Sequence, residues 1–426
     1  GEAYRGHIFW DELYILPWYC KTFPEAAKAM LMYRYRRLDK AREYANIHGF
    51  EGAMFPWQSG SDGREETQVV HLNPVSGKWG DDYSSLQRHV SLAVAFNVYT
   101  YFHLTNDVEF MNSYGLEMLL EISRFWVSKA KKDAEDRYSI DGVMGPDEFH
   151  EKLPGDNKGG LKDNAYTNIM TAWLLEEIEA LKNNENIDFS NVCNTLKVSD
   201  QELEKWADVA GKLNLVISEE GVISQFDGYF DLKELDWDDY RKRYGNIHRM
   251  DRILKSEGLS PDNFKVAKQA DTLMTFYNLN NETVTGIIHD LGYEVPEDYI
   301  DRNLDYYLGR TSHGSTLSRV VHAYLARIIG RNELSWELYL DALRSDFVDI
   351  QGGTTAEGIH AGVMAGTIEI AHKAFAGLDL RGEEIVFEPS MPKHWRKMTF
   401  SFKFRGERYE AVVEDDKASL NKLQIN

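Results

Sequence analysis

The chain is poor in cysteine, in long apolar runs and in positive charge. Only Cys20 and Cys193 occur in its 426 residues, without a CxxC pair or a cysteine–histidine cluster. This usage argues against a zinc site or a disulfide framework and predicts a cytoplasmic location, where thiols stay reduced. No apolar run is long enough to span a bilayer, and no signal peptide is recognisable. The net charge of −21 argues against nucleic acid and anionic membranes as partners, because like charges repel.

The chain contains enough apolar residues to form a large core. Apolar residues make up 43% of the chain and aromatic residues 12%, including 10 Trp and 23 Tyr. Aromatic residues at this level serve either a large core or flat surfaces that stack on ligands, and composition leaves both open. The first residue is Gly1 rather than methionine, which predicts that sequence ahead of it has been removed.

Apolar residues recur at helical spacing through most of the chain, and about a dozen helices are expected. The segment SLQRHVSLAVAFNVYTYFHL is an example. Near the end, MTFSFKF alternates apolar and polar residues before an RGE turn, which predicts a β-hairpin. We therefore expect a mainly α fold, with a helical body over residues 1–376 and a small β appendage over residues 377–426.

Long loops that mix glycine, aromatic residues and acids interrupt the helices, and such loops usually carry function. The segment GVMGPDEFHE suits neither a helix interior nor a central strand, and it offers Glu148 as a carboxylic acid. Pro146 and Phe149 can keep water from Glu148, and Asp147 and Glu151 can raise its pKa through like charge. Protonated carboxyl groups of this kind serve glycoside chemistry, whereas a solvated acidic loop or a helix cap is the alternative.

Two further segments carry candidates for sugar binding. In GHIFWDELYILP, Trp10 can stack on a sugar face and Asp11 can accept from two hydroxyls. The alternative is an ordinary helix start with a core tryptophan. In AKQAD, Lys268 and Gln269 can contact hydroxyls from one side, whereas an ion pair between Lys268 and Asp271 is the alternative.

Two loops that precede apolar helices are candidates for anion binding. RTSHGSTLSR combines helix-start amides, hydroxyls and cations around Ser315, which together favour an anion. QGGTTAEGIHAGVMAGT combines a glycine-rich loop with Glu357 and His360. Simple helix caps and turns are the alternative for both. The histidines and acids lack metal-ligand spacing, and neither a Walker loop nor GxSxG is present.

Taken in order along the chain, these segments resemble the catalytic domain of glycoside hydrolase family 65, and the resemblance covers nearly the whole chain. It rests on GHIFWDELYILP, FPWQSGSDGREET, GVMGPDEFHE, DNAYTNIMTAW, KQAD, TSHGSTLS and GGTTAEGIHAGVMAGT. The resemblance implies an (α/α)6 barrel with a small C-terminal β-sheet region, a possible homodimer, and an N-terminal β-sandwich that this chain lacks. It also implies no metal and no organic cofactor.

The same resemblance implies an activity and a set of residue roles. Many members are inverting phosphorylases of α-linked glucose disaccharides, in which inorganic phosphate is the co-substrate and β-glucose 1-phosphate is a product. Glu148 takes the position of the general acid. The positions implied for the glucosyl unit are Trp10, Asp11, Lys268 and Gln269, with Trp57, Glu65, Glu66 and His89 as further lining residues. Those implied for phosphate are His313, Gly314, Ser315 and Thr316, with His360 near them.

The sequence departs from the phosphorylases of this family at two loops. Gly314 stands where many of them have an aspartate after the histidine, and GGTTA precedes Glu357. Hydrolases of the family use a carboxylate near this second loop as base, so an inverting α-glucoside hydrolase with Glu148 as acid and Glu357 as base is the alternative. A helical toroid that binds carbohydrate without turnover is the more remote one.

Overall fold

The computed structural model describes residues 6–349 and 358–424 and is mostly helical. Among the described helices, none is both long enough and apolar enough to cross a bilayer. The elements in chain order are α1 (Glu12–Thr22), α2 (Pro24–Tyr35), α3 (Leu38–Ile47), β1 (Val70–Asn73), β2 (Lys78–Asp81), α4 (Val90–Thr105), α5 (Val108–Phe110), α6 (Leu116–Lys129), β3 (Lys131–Lys132), β4 (Tyr138–Ser139), α7 (Ala165–Lys182), α8 (Phe189–Leu196), α9 (Asp200–Ala210), α10 (Trp237–Tyr244), α11 (Met250–Ser256), α12 (Leu273–Asn278), α13 (Asn281–Asp290), α14 (Tyr299–Leu308), α15 (Thr316–Ile328), α16 (Asn332–Arg344), α17 (Ala361–Glu369), β5 (Leu378–Asp379), β6 (Val386–Phe387), β7 (Lys397–Phe404), β8 (Glu407–Glu414) and β9 (Lys417–Leu423).

Six of these helices form a closed inner ring. α1 packs against α4, α4 against α7, α7 against α12, α12 against α15 and α15 against α17, and α17 returns to α1. Six other helices, α2, α6, α9, α13, α14 and α16, lie outside and pack on members of the ring. This arrangement is an (α/α)6 barrel, so the predicted fold class is confirmed.

The inner helices α12 and α15 are covered on most sides. All six residues of α12 are buried, and eleven of the 13 residues of α15 are buried. A helix with so little exposed surface is stable only when other elements surround it. The outer helix α9 is amphipathic by contrast and buries only Trp206, Val209 and Ala210.

The C-terminal region forms an antiparallel sheet in the order β7–β8–β9. Its buried face includes Phe402, Phe404 and Ala411, and β7 packs against α1 and α4. The backbone amide of Arg405 donates to the carbonyl of Leu104 at 2.7 Å, which fixes the hairpin to the end of α4. The predicted hairpin is confirmed, whereas β9 was not expected. The division of the chain at residue 376 stays a prediction.

Close packing inside the ring makes one glycine sensitive to substitution. A Cβ on Gly366 in α17 would lie 2.7 Å from Cγ1 of the buried Val320 in α15. We expect Gly366→Ala to lower the free energy of unfolding by about 1–3 kcal/mol, because overpacking strains a dense core. Urea unfolding followed by circular dichroism measures this change.

The matched control is Gly286→Ala in the outer helix α13, where no other atom lies within 4 Å of the added Cβ. Alanine there should raise the free energy of unfolding by about 0.5–1 kcal/mol, because glycine loses more backbone entropy in a helix. If both variants shifted stability in the same direction, the close packing of α15 on α17 would be disproved.

Candidate active site

The predicted site residues gather where the six ring helices begin. The residue that precedes each ring helix is, in chain order, Asp11, His89, Asn164, Thr272, Ser315 or His360. Direct contacts between these ends, described below, show that the helices start at the same end of the barrel. Each helix start carries a partial positive charge, so this end attracts anions and polar ligands.

Glu148 lies at this end in a tightly held loop. One carboxyl oxygen accepts from Lys268 Nζ at 2.9 Å, and the other accepts from Gln269 Nε2 at 2.9 Å. The backbone of Glu148 is left-handed, with φ of 66°, a conformation that non-glycine residues rarely adopt. The structure therefore brings together three of the predicted residues, and Lys268 pairs with Glu148 rather than with Asp271.

The surroundings of Glu148 favour its protonated form. Burial raises the pKa of its carboxyl group above the ordinary value, the ammonium of Lys268 opposes this rise, and the carboxylate of Asp11 adds to it. The sequence suggested instead that Asp147 and Glu151 would supply the like charge. Asp147 is engaged elsewhere, because its carboxylate contacts His150 Nδ1 at 2.5 Å and accepts from the Lys268 amide at 2.7 Å.

A buried polar network behind Glu148 holds the loop in place. Asp271 accepts from Asn164 Nδ2 at 2.9 Å and from the Asp147 amide at 3.3 Å. Burial raises the pKa of Asp271 to about 7. A Cβ on Gly145 would lie 2.0 Å from Asp271 Oδ2, so only glycine fits there. Neither Asn164 nor Asp271 was predicted as a site residue, although Asn164 is recognisable as a helix cap in DNAYTNIMTAW.

A second chain of contacts links the starts of α1, α15 and α17. His360 Nε2 lies 2.6 Å from Asp11 Oδ2, and His360 Nδ1 lies 2.7 Å from the hydroxyl of Thr316. Asp11 and His360 are 349 positions apart in the chain, so only the closed ring can bring them together. Three predicted residues thus form one buried cluster.

The loop predicted to bind phosphate lies directly beside Lys268. The amide of Gly314 donates to the carbonyl of Lys268 at 2.8 Å, and Ser315 caps α15 by accepting from the Leu317 amide at 3.3 Å. His313 has φ of 53°, and burial lowers the pKa of its imidazole well below the ordinary value, so the ring is neutral. A Cβ on residue 314 would lie 2.4 Å from the carbonyl oxygen of His248, which explains why this chain has glycine there.

Aromatic residues form the floor beneath these polar groups. Trp10 packs edge-to-face on His89, with ring centroids 4.8 Å apart, and Trp57 lies 5.3 Å from the same histidine. Both indoles are only 2% exposed, so neither presents an open face. The cluster therefore supports the site from below.

Glu65 and Glu66 occupy different surroundings from these aromatic residues. Glu65 accepts from the amide of Trp57 at 2.8 Å and from the hydroxyl of Thr67 at 2.5 Å, so it organises the loop that carries Trp57. Glu66 is partly exposed beside Arg64. Glu357 lies outside the described residues.

Several buried polar atoms at this end lack hydrogen-bond partners among the described residues. They include Asp11 Oδ1, His89 Nδ1 and Gln269 Oε1. An unpaired buried polar atom costs about 1–3 kcal/mol, so several in one region are typical of a site whose ligand supplies the partners. Sugar hydroxyls are suitable, since each both donates and accepts. Among the described residues, no group of three His, Cys, Asp or Glu side chains is placed to hold a metal ion.

The contact between Lys268 and Glu148 can be tested through the pKa of the Glu148 carboxyl group. Because Lys268 lowers the pKa of the Glu148 carboxyl, Lys268→Met should raise that pKa further and keep Glu148 protonated to higher pH. Titration of the side-chain carbon signal of labelled glutamate by NMR measures the change. Lys265→Met removes a lysine that pairs with Glu234 instead and serves as control. A lowered or unaltered pKa in Lys268→Met would refute the electrostatic account.

Comparison with known proteins identifies the family. A profile described as "Glycosyl hydrolase family 65 central catalytic domain" matches residues 1–369, and one described as "Glycosyl hydrolase family 65, C-terminal domain" matches residues 378–424. Trehalose 6-phosphate phosphorylase of Lactococcus lactis subsp. lactis (strain IL1403) is 47% identical over 420 residues, which cover 99% of this chain and 53% of that protein.

More distant relatives agree with this match. Kojibiose phosphorylase of Caldanaerobacter subterraneus subsp. tengcongensis is 34% identical over 441 residues, covering 100% of this chain and 53% of that protein. A solved structure of a kojibiose phosphorylase candidate from the human microbiome matches with a TM-score of 0.82 at 27% identity, covering 100% of this chain and 58% of that one. The chain spans about half the length of these curated relatives. It therefore belongs to glycosyl hydrolase family 65 and contains that family's central catalytic domain together with its C-terminal domain.

Proposed function

We propose that this chain catalyses the inverting phosphorolysis of an α-linked glucose disaccharide. Glu148 donates its proton to the oxygen that bridges the two sugars, and the bond between C1 and this oxygen breaks. Inorganic phosphate forms a bond to C1 from the opposite face, so the product is β-glucose 1-phosphate. The proton that hydrogen phosphate carried passes to solvent, and solvent returns a proton to Glu148.

The observation that carries the proposal is that one residue joins the acid to the loop at the start of α15. Lys268 holds the carboxyl of Glu148 through Nζ and the amide of Gly314 through its carbonyl oxygen, at 2.9 and 2.8 Å. A general acid and an attacking phosphate must both lie within reach of one sugar ring. The shared contact with Lys268 supports this proximity.

The remaining roles follow the same geometry. Asp11, His89 and Gln269 offer the unpaired buried atoms to the glucosyl hydroxyls, above the floor formed by Trp10 and Trp57. The start of α15, with His313, Gly314, Ser315 and Thr316, receives the phosphate, and His360 holds the Thr316 hydroxyl in place. The helix-start amides supply the electrostatic attraction, since His313 is neutral.

Inorganic phosphate is the co-substrate in this scheme, and no metal or organic cofactor takes part. The 47% identical relative is a trehalose 6-phosphate phosphorylase, so trehalose 6-phosphate is the first substrate to test, followed by kojibiose and trehalose. The cytoplasmic location and the homodimer stay predictions.

Replacing the acid tests the proposal directly. Glu148→Gln keeps the contact to Lys268 but cannot donate a proton, so kcat should fall by about 10²–10⁴-fold. The exposed Glu135 supplies a matched control, and Glu135→Gln should retain full activity. The assay incubates each disaccharide with and without phosphate and follows the anomeric products by proton NMR.

The products distinguish the candidate functions. β-Glucose 1-phosphate that forms only with phosphate supports the phosphorylase. β-Glucose that forms equally well without phosphate would replace it with the hydrolase, in which Glu357 is the base. Binding of disaccharide without turnover, equal in wild type and Glu148→Gln, would favour the non-catalytic toroid.

A further inference from the structure

A cleft borders Glu148, and of the four positions implied for the glucosyl unit only Lys268 lines it. It has a volume of about 250 Å³ and lies between the hairpin of β1 and β2, the Glu148 loop and α11. Glu148 and Lys268 line it, whereas Trp10, Asp11 and Gln269 do not. A general acid lies between the two sugars whose bond it breaks, so this cleft lies where the leaving sugar would be.

Cations are concentrated in this cleft although the whole chain has a net charge of −21. Arg249, Arg252, Lys255 and Lys268 all line it. Arg252 and Lys255 are three positions apart on α11, so their side chains lie on the same face of that helix. A neutral sugar offers only hydroxyls, which amides and carboxylates bind well, whereas arginine and lysine are the residues that bind phosphate.

The acids that share the cleft are occupied or easily neutralised. Asp251 forms two hydrogen bonds with Arg249, at 3.0 and 2.8 Å. Asp82 accepts from the Ser84 amide at 2.9 Å and from the side chain of Gln68 at 3.0 Å. Glu151 lies 3.7 Å from Lys255, and burial raises the pKa of its carboxyl to about 7. An arriving dianion would therefore meet acids that already have hydrogen-bond or ion-pair partners.

The hairpin holds the cleft in shape. Asn73 Nδ2 donates to the carbonyl of Arg252 at 3.1 Å, which joins β1 to α11. His71 lines the cleft beside Asn73, and Leu72 and Pro74 add apolar surface that suits the carbon face of a sugar. Cations, a histidine and apolar surface thus meet within reach of the acid.

We propose that Arg252, Lys255 and His71 form a subsite for the phosphate ester of a phosphorylated leaving sugar. The inference rests on the proposed function and names the substrate class of that same site: a disaccharide that carries a phosphomonoester on the sugar that departs. The cleft would then select phosphorylated over neutral disaccharides, and in the synthetic direction it would select a hexose 6-phosphate over a free hexose as acceptor.

The test runs the full chain in the synthetic direction with β-glucose 1-phosphate as donor. Glucose and glucose 6-phosphate are compared as acceptors by the release of inorganic phosphate. Wild type should favour glucose 6-phosphate in kcat/KM by at least about tenfold, since hydrogen bonds between charged groups are strong. Lys255→Gln and Arg252→Gln should each lower this preference by about tenfold, whereas Lys255→Arg, which keeps the charge, should preserve it.

Lys242→Gln is the matched control, because Lys242 is exposed on the neighbouring α10 and does not line the cleft. It should leave the preference unaltered. A wild type that uses both acceptors equally, or Lys255→Gln and Arg252→Gln variants that keep the wild-type preference, would overturn the subsite while leaving the phosphorylase intact.

Calorimetric titration tests the subsite without turnover, with glucose 6-phosphate, glucose and inorganic phosphate as separate probes. Binding of glucose 6-phosphate that weakens about tenfold in Lys255→Gln supports the subsite even if catalysis fails. Inorganic phosphate that binds as tightly as glucose 6-phosphate, and is lost in the same variant, would make the cleft a site for free phosphate and overturn the inference. No binding of glucose 6-phosphate would also overturn it.

Discussion

The closed ring of six inner helices is the constraint on which the rest of the structure depends. Because the helices start at one end of the barrel, each loop that precedes them delivers its polar residues to the same place. Asp11, His360 and Thr316 meet there although they come from opposite ends of the chain. The helix starts also place partial positive charge in one region of an acidic chain.

The polar groups at this end depend on one another. Lys268 contacts Glu148 through its side chain, Asp147 through its amide and Gly314 through its carbonyl, so it joins the Glu148 loop to the loop before α15. Burial shifts the pKa values of these groups in opposite directions. It raises the pKa of Glu148 and Asp271, which favours the neutral acid, and it lowers that of His313, which favours the neutral base.

Under the two proposals, the surroundings of Glu148 give a physical basis for substrate choice. The atoms proposed to hold the glucosyl unit are unpaired neutral and acidic ones, whereas four cations line the cleft beside α11. Phosphate of two kinds, the free ion and the ester, would then be bound at separate places, by helix-start amides in one case and by side chains of α11 in the other. Changes in α11 and the β1–β2 hairpin would alter the leaving sugar while the acid and the ring stay the same.

Sequence alone was sufficient for the helical fold class, the C-terminal hairpin and the family resemblance, because helical periodicity, strand alternation and the motif segments are local properties. Tertiary structure decided the rest. Lys268 pairs with Glu148 rather than with Asp271. Asp11, rather than Asp147, is the carboxylate whose like charge adds to the rise in the pKa of Glu148. Glu65 supports the loop that carries Trp57. The contact between Asn164 and Asp271, and the position of the α11 cations beside Glu148, depend on the approach of distant segments, which no local pattern records.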